Sequence, residues 1–154
     1  LLLQATCAMP LLFPIYELNG IKCLDGGAAD AIPFRRAFQQ GCDRVVVVLT
    51  RERSYRREPE RLQHLIDLRY HKYPRFCETM RRRAETYNAD REELFRLERE
   101  GKVLLLAPEN TRGFSRVERD VDKIRALWQS GYDQTMGRME EIRDFLGLEE
   151  TAGR

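Results

Sequence analysis

At 154 residues the chain is long enough for one domain with a buried core, and its formal net charge of +2 is too small to argue for nucleic acid, so no nucleic-acid partner is expected. Hydrophobic residues make up 42% and charged residues 34%, the balance of a soluble protein with a heavily charged surface. No stretch approaches the roughly 18 to 20 unbroken apolar residues of a membrane span. Residues 1–15 are apolar but lack a basic start and are interrupted by Pro10 and Pro14, which reads against a signal peptide. The first residue is Leu1, so the chain is expected to begin downstream of its translation start. Cys7, Cys23, Cys42 and Cys77 are scattered without a C-x-x-C pair. They point to free thiols in a reducing cytoplasm and away from zinc.

Residues 1–9 read as the tail of an apolar helix. Asn19-Gly20 then lies between two short apolar runs, residues 14–18 and 21–24. It predicts a hairpin, because a type I′ turn needs positive φ at both central residues. The second arm runs into Asp25-Gly26-Gly27. Adjacent glycines open a backbone path that a Cβ would strain, and they let another backbone or a substrate come close. An acid at that strand end is well placed for chemistry, although Asp-Gly-Gly by itself is more often an ordinary turn. Pro33 fits the first turn of a helix, Phe34, Ala37 and Phe38 give that helix an apolar face, and Gly41 suits its C′ stop. Residues 44–49, with four consecutive valines and a leucine after Arg44, predict a short strand buried on both faces. Strand, short helix and buried strand begin a parallel-sheet α/β pattern.

From Arg51 to Arg83 the character changes, with ten arginines and one lysine against five acids, a net +6. Pro59 is expected to open a helix carrying Leu62, Leu65, Ile66 and Tyr70, which Pro74 breaks. A second helix carries Phe76, Met80, Ala84 and Tyr87. Asp90 with Glu93 predicts a capping box for a third, through Leu94 and Leu97 to Gly101. The arginines read as the solvated face of these helices, and the sharper alternative is a patch meeting anionic headgroups or phosphates. His64 and His71 have no third ligand at metal spacing and read as solvated or packed, so no metal is expected.

Residues 102–107 predict another buried strand, ended by Pro108. Ser115 with Glu118 predicts a capping box for a long closing helix. Its Val117, Val121, Ile124, Trp128, Met136, Met139, Ile142 and Leu146 keep near a 3.6-residue spacing, which assigns the stripe to core. Gly131 and Gly137 each cost about 1 kcal/mol against alanine inside a helix and predict a kink or break. Gly147 lies past the end. No G-x-S-x-G surrounds Ser54, Ser115 or Ser130, and no phosphate loop or dinucleotide fingerprint occurs, so no cofactor is expected.

Several strings, in order, carry a resemblance. They are Ala5-Thr6-Cys7-Ala8-Met9-Pro10, Phe13-Pro14, Leu24-Asp25-Gly26-Gly27 with Pro33, and the run from Gly41 to Thr50. Ser115-Arg116 with Glu118 and Asp120, then Gly131-Tyr132, extend it. Together they resemble the bacterial patatin-like phospholipases over nearly the whole chain. The resemblance implies part of a three-layer α/β/α fold with a mainly parallel sheet (residues 1–50), followed by a helix-rich C-terminal region (residues 51–154) with one further strand near 102–107. It implies a lipid acyl hydrolase using a Ser–Asp dyad, with Asp25 as general base on the Asp25-Gly26-Gly27 motif and a lipid or fatty-acyl ester as substrate. It also fits a cytoplasmic protein touching anionic membrane peripherally through Arg51 to Arg83. The serine and the oxyanion glycines would lie upstream of Leu1. The chain is therefore expected to be a C-terminal half, inactive on esters alone and prone to associate through its apolar segment and valine strand. Its oligomeric state is left open.

Overall fold

A computed structural model describes residues 1–115 and 118–148. Arg116 of the resemblance and Val117 of the closing stripe lie outside the described residues. The fold is α/β, with one parallel strand pair, one antiparallel hairpin and a helix-rich C-terminal region. The chain forms two compact units, Leu1–Pro33 with Arg56–Glu93, and Phe34–Tyr55 with the chain from Leu94 on.

In the first unit, α1 (Leu2–Thr6) leads into β1 (Tyr16–Leu18) and β2 (Ile21–Cys23). Asn19 and Gly20 adopt φ of 51° and 78°, the left-handed pair that the hairpin needs, and set Tyr16 opposite Cys23 and Leu18 opposite Ile21. Residues Gly26–Ala28 form a single 3-10 turn, followed later by α3 (Gln63–Arg69) and α4 (Pro74–Arg99). The core is Ala28, Ile66, Tyr70, Cys77 and Met80, with Leu11, Ile15, Leu24, Tyr73 and Phe76 packed against it. Burial of each large side chain contributes about 1.5–3 kcal/mol. The Tyr70 hydroxyl accepts the Leu11 N–H at 3.0 Å, so the ring's polar end is satisfied. Lys22 Nζ donates to the Tyr73 hydroxyl at 3.0 Å and ties down the hairpin. Burial pushes the Cys77 thiol up, which leaves it neutral and unreactive.

Three expectations for this stretch are corrected. The helix expected from Pro59 begins only at Gln63, after a turn. Pro74 starts α4, where its missing N–H costs nothing. The second and third helices are one, 26 residues long, because no Gly or Pro interrupts residues 75–99. Asp90 is therefore a buried residue inside α4 and caps nothing.

In the second unit, α2 (Phe34–Gln39) ends in a Schellman motif. Gly41 at φ 92° donates to Phe38 O, and Cys42 N–H donates back to Ala37 O at 3.2 Å. β3 (Val45–Val48) pairs in parallel with β4 (Val103–Leu106), Val45 opposite Val103 through Val48 opposite Leu106. β4 is buried as expected. β3 is not buried on both faces: Val47 and Leu49 are inside, but Val48 is 69% exposed. The pair is a two-stranded ribbon with no third strand among the described residues.

The closing helix breaks where Gly137 predicts, giving α5 (Val121–Met136) and α6 (Met139–Leu146), with Gly147 left-handed at its end; Gly131 stays inside α5. Its cap differs from the expected Ser115/Glu118 box. Asp120 Oδ1 accepts the N–H groups of Asp122 and Lys123, while the Glu118 carboxylate takes the backbone N–H groups of Ser115, Arg119 and Asp120 before the helix starts, so the glutamate half of the box forms but caps no helix. The stripe is not core either. Neither α5 nor α6 buries a residue, and Ile124, Trp128, Met136 and Leu146 face solvent. α6 is held by polar contacts at its edges, Arg44 Nη1 to Phe145 O at 2.6 Å and Arg138 Nη1 to Leu105 O at 2.8 Å.

Candidate active site

The hairpin delivers Asp25 to the end of its second arm, where its N–H donates to Ala8 O at 2.9 Å. Asp25 then caps the 3-10 turn. Its Oδ1 accepts the Gly27 N–H at 2.7 Å, and its carbonyl accepts the Ala28 N–H at 3.0 Å. Ala28 is in the core, so the turn hangs from a buried anchor. This cap alone gives an aspartate a structural reason to stand here. It also leaves the carboxylate half-buried, with one oxygen fixed and Oδ2 taking no hydrogen bond among the described residues.

Both glycines are crowded. A Cβ on Gly26 would lie 3.1 Å from Thr6 Oγ1, and one on Gly27 would lie 3.1 Å from Asp25 Oδ1. The close approach that two glycines permit is thus used inward, toward α1's end and the carboxylate. Arg83, on α4, donates from Nε to Gly27 O at 2.9 Å and so holds the turn from its other side.

Next to the turn is an open cavity of about 240 Å³. Gly27, Ala28, Ala29 and Ala31 form one wall, and Glu78, Thr79, Arg82, Arg83, Thr86, Tyr87 and Asp90 of α4 form the other. Asp25 borders it only through Gly27. The α4 wall was missed by sequence reasoning. Arg82 and Arg83 read there as solvated charge and Asp90 as a cap, and no local signal joins them to a turn more than fifty positions upstream.

The arrangement supplies a positioned carboxylate and a mixed-charge pocket, with no serine among the described lining residues. Ser54, Ser115 and Ser130 all belong to the second unit. His64 and His71 are exposed, with His71 Nδ1 3.0 Å from Leu68 O, and among the described residues no group of three side chains could hold a metal ion. The arginines from Arg51 to Arg83 divide between the units. Several are tied internally: Arg53 to Glu98, Arg56 to Glu92 at 2.5 Å and Arg81 to Asp67 at 2.9 Å, while Arg57 stacks over Tyr87. The Gln63 amide, with Arg81 beside it, holds Asp67 below its ordinary carboxylate range. No described helix is long and apolar enough to cross a membrane.

Over residues 73–147 the chain matches DUF6363, a domain of unknown function. The match takes in α4, β4, α5 and α6 and leaves out the Asp25 turn. No curated protein matches the chain.

Proposed function

We propose that the chain is the C-terminal half of a patatin-like acyl hydrolase, with Asp25 as the general base of a Ser–Asp dyad acting on a lipid or fatty-acyl ester. The observation that carries this reading is the setting of Asp25. It is a half-buried carboxylate on a glycine turn, with one oxygen fixed by the Gly27 N–H and the other without a partner among the described residues, beside a cavity. A serine hydroxyl is a poor nucleophile until a base takes its proton. In this reading Asp25 accepts that proton as the serine oxygen attacks the acyl carbonyl, then returns it to the departing alcohol. The serine and the oxyanion donors come from sequence outside this chain, so the chain alone turns over no ester. The substrate is met at an anionic membrane surface, through basic residues of the Arg51 to Arg83 stretch.

Two measurements test the reading. Asp25→Asn in a longer protein carrying the serine abolishes ester cleavage while leaving the melting temperature near wild type; cleavage at the wild-type rate would overturn the assignment. The chain by itself neither hydrolyses a short p-nitrophenyl ester nor takes a fluorophosphonate label. Turnover with labelling at Ser54, Ser115 or Ser130 would refute the half-enzyme reading.

A further inference from the structure

We propose that the outward face of α3, with the turn that follows it, is a docking surface for an anionic lipid bilayer. This rests on the acyl hydrolase reading for its purpose, and it names the residues that make the membrane contact. The observation is a gap in the pairing of the basic stretch. In the first unit Arg56, Arg61, Arg81 and Arg82 each meet a carboxylate. Arg69, Lys72 and Arg75, consecutive cations along the chain, meet none among the described residues. All three are exposed, and Arg69 stacks over the Tyr70 ring at 5.4 Å. The acids between Arg61 and Arg83 are Asp67 and Glu78, and Arg81 bridges both, at 2.9 and 3.3 Å.

Leucines stand exposed beside these cations. α3 and its C-cap turn Ile66 and Tyr70 into the core. Leu68 lies two residues from each, about 160° round the helix from both, and so points to solvent. It is 74% exposed. His64 and Leu65 fall within about 60° of Leu68 on the same face, and both are exposed. Asp67 is about 100° away from Leu68 and half-buried. The chain then turns tightly, the Tyr73 N–H donating to Tyr70 O at 2.7 Å, with His71 and Lys72 exposed at the tip. Arg75 follows in the first turn of α4.

Charge and apolarity together select the occupant. A soluble polyanion, nucleic acid included, would use the cations and leave Leu65 and Leu68 in water. An anionic bilayer takes both. The leucines enter the boundary between headgroups and acyl chains, while Arg69, Lys72 and Arg75 meet the lipid phosphates above it. Each basic residue close to such a surface strengthens binding by about fivefold. Three cations and two leucines make a reversible contact, and one that salt weakens.

Co-sedimentation of the chain with vesicles rich in phosphatidylglycerol, and with vesicles of phosphatidylcholine alone, tests this. The chain should bind the anionic vesicles, bind the zwitterionic ones at least about tenfold less, and dissociate as salt rises. Leu68→Ser should weaken binding by about tenfold, and Lys72→Gln and Arg75→Gln by about fivefold each. All three sites are exposed, so helical circular dichroism should stay at wild type. Arg56→Gln is the control, because Arg56 is bridged to Glu92, about 25 Å along α4 from Arg75. It should change binding by less than about twofold. No binding to anionic vesicles overturns the proposal. So does an unchanged Leu68→Ser, which would make this a contact for any polyanion, or an Arg56→Gln loss as large as that of Lys72→Gln. The hydrolase reading fails separately, on full activity of Asp25→Asn in the longer protein, a result that leaves vesicle binding in place.

Discussion

α4 and α5 have apolar residues at the same spacing and are amphipathic to the same degree, yet their stripes have opposite fates. α4 buries Cys77, Met80, Ala84, Tyr87, Leu94 and Leu97, while Val121, Ile124, Trp128, Tyr132 and Met136 of α5 remain in solvent. The difference lies outside both helices. In the first unit Cys77 and Met80 of α4 pack with Ile66 and Tyr70 from α3 and Ala28 from the Asp25 turn, and in the second unit Leu94 and Leu97 of α4 are also buried. No described element of the second unit covers the stripe of α5. A period of 3.6 shows that a helix has an apolar face, and it is silent on what the face meets.

The sharpest way to break this comparison is to hollow out α4. Leu94 is wholly buried, and Leu94→Ala should cost about 2–5 kcal/mol in chemical denaturation. A loss well under 1 kcal/mol would mean that α4 is no more committed to a core than α5.

An intermediate effect is expected in the segment between β4 and α5, which is anchored at buried Thr111. Its hydroxyl donates to the Glu52 carboxylate and accepts from Arg51 Nη1 at 3.0 Å. The donated bond holds the Glu52 carboxyl below its ordinary value of 4.5. A carboxyl lowered by folding contributes stability that is present above its unfolded value and is lost as pH falls through the lower, folded one. Thr111→Val should therefore be less stable than wild type at neutral pH, with the gap narrowing as pH falls below the ordinary glutamate range. A gap that stays constant with pH would show that Glu52 is not the partner that matters.

The smallest effect belongs to α5. Trp128→Ala in dilute solution should change stability by no more than about 0.5 kcal/mol, as at other exposed sites away from caps and cores. A larger cost for the monomer would mean that the stripe is covered within the chain.

Much of the local structure was legible in the residues. Asn19-Gly20 named its hairpin and Gly41 and Gly147 their helix ends, because each rests on a positive φ that the residue itself permits, while Gly137, at φ −64°, named the break after α5 through its low helix propensity. The run of four apolar residues in β4 named a buried strand, whereas the run in β3 named the strand but misjudged the burial of Val48. The Asp25 turn was legible as a turn with an acid on it. Its support was not: Arg83 is 56 positions away, and its charge looked like any other on a basic helix. The capping boxes at Asp90 and Ser115 failed because such a motif caps only where the chain before it leaves the helix or the chain after it enters one. Residues 75–99 do not break at Asp90, and α5 starts six residues past Ser115, at the competing cap of Asp120.

The sequence by itself determined where the chain turns, which segments coil or extend, and that an aspartate and two glycines stand together at a strand end. Tertiary structure alone decided which apolar faces become core, which charges meet, and that α4 rather than solvent forms the wall opposite the Asp25 turn. Turns and caps depend on neighbours along the chain, whereas burial and ion pairing depend on residues brought close only when distant segments pack.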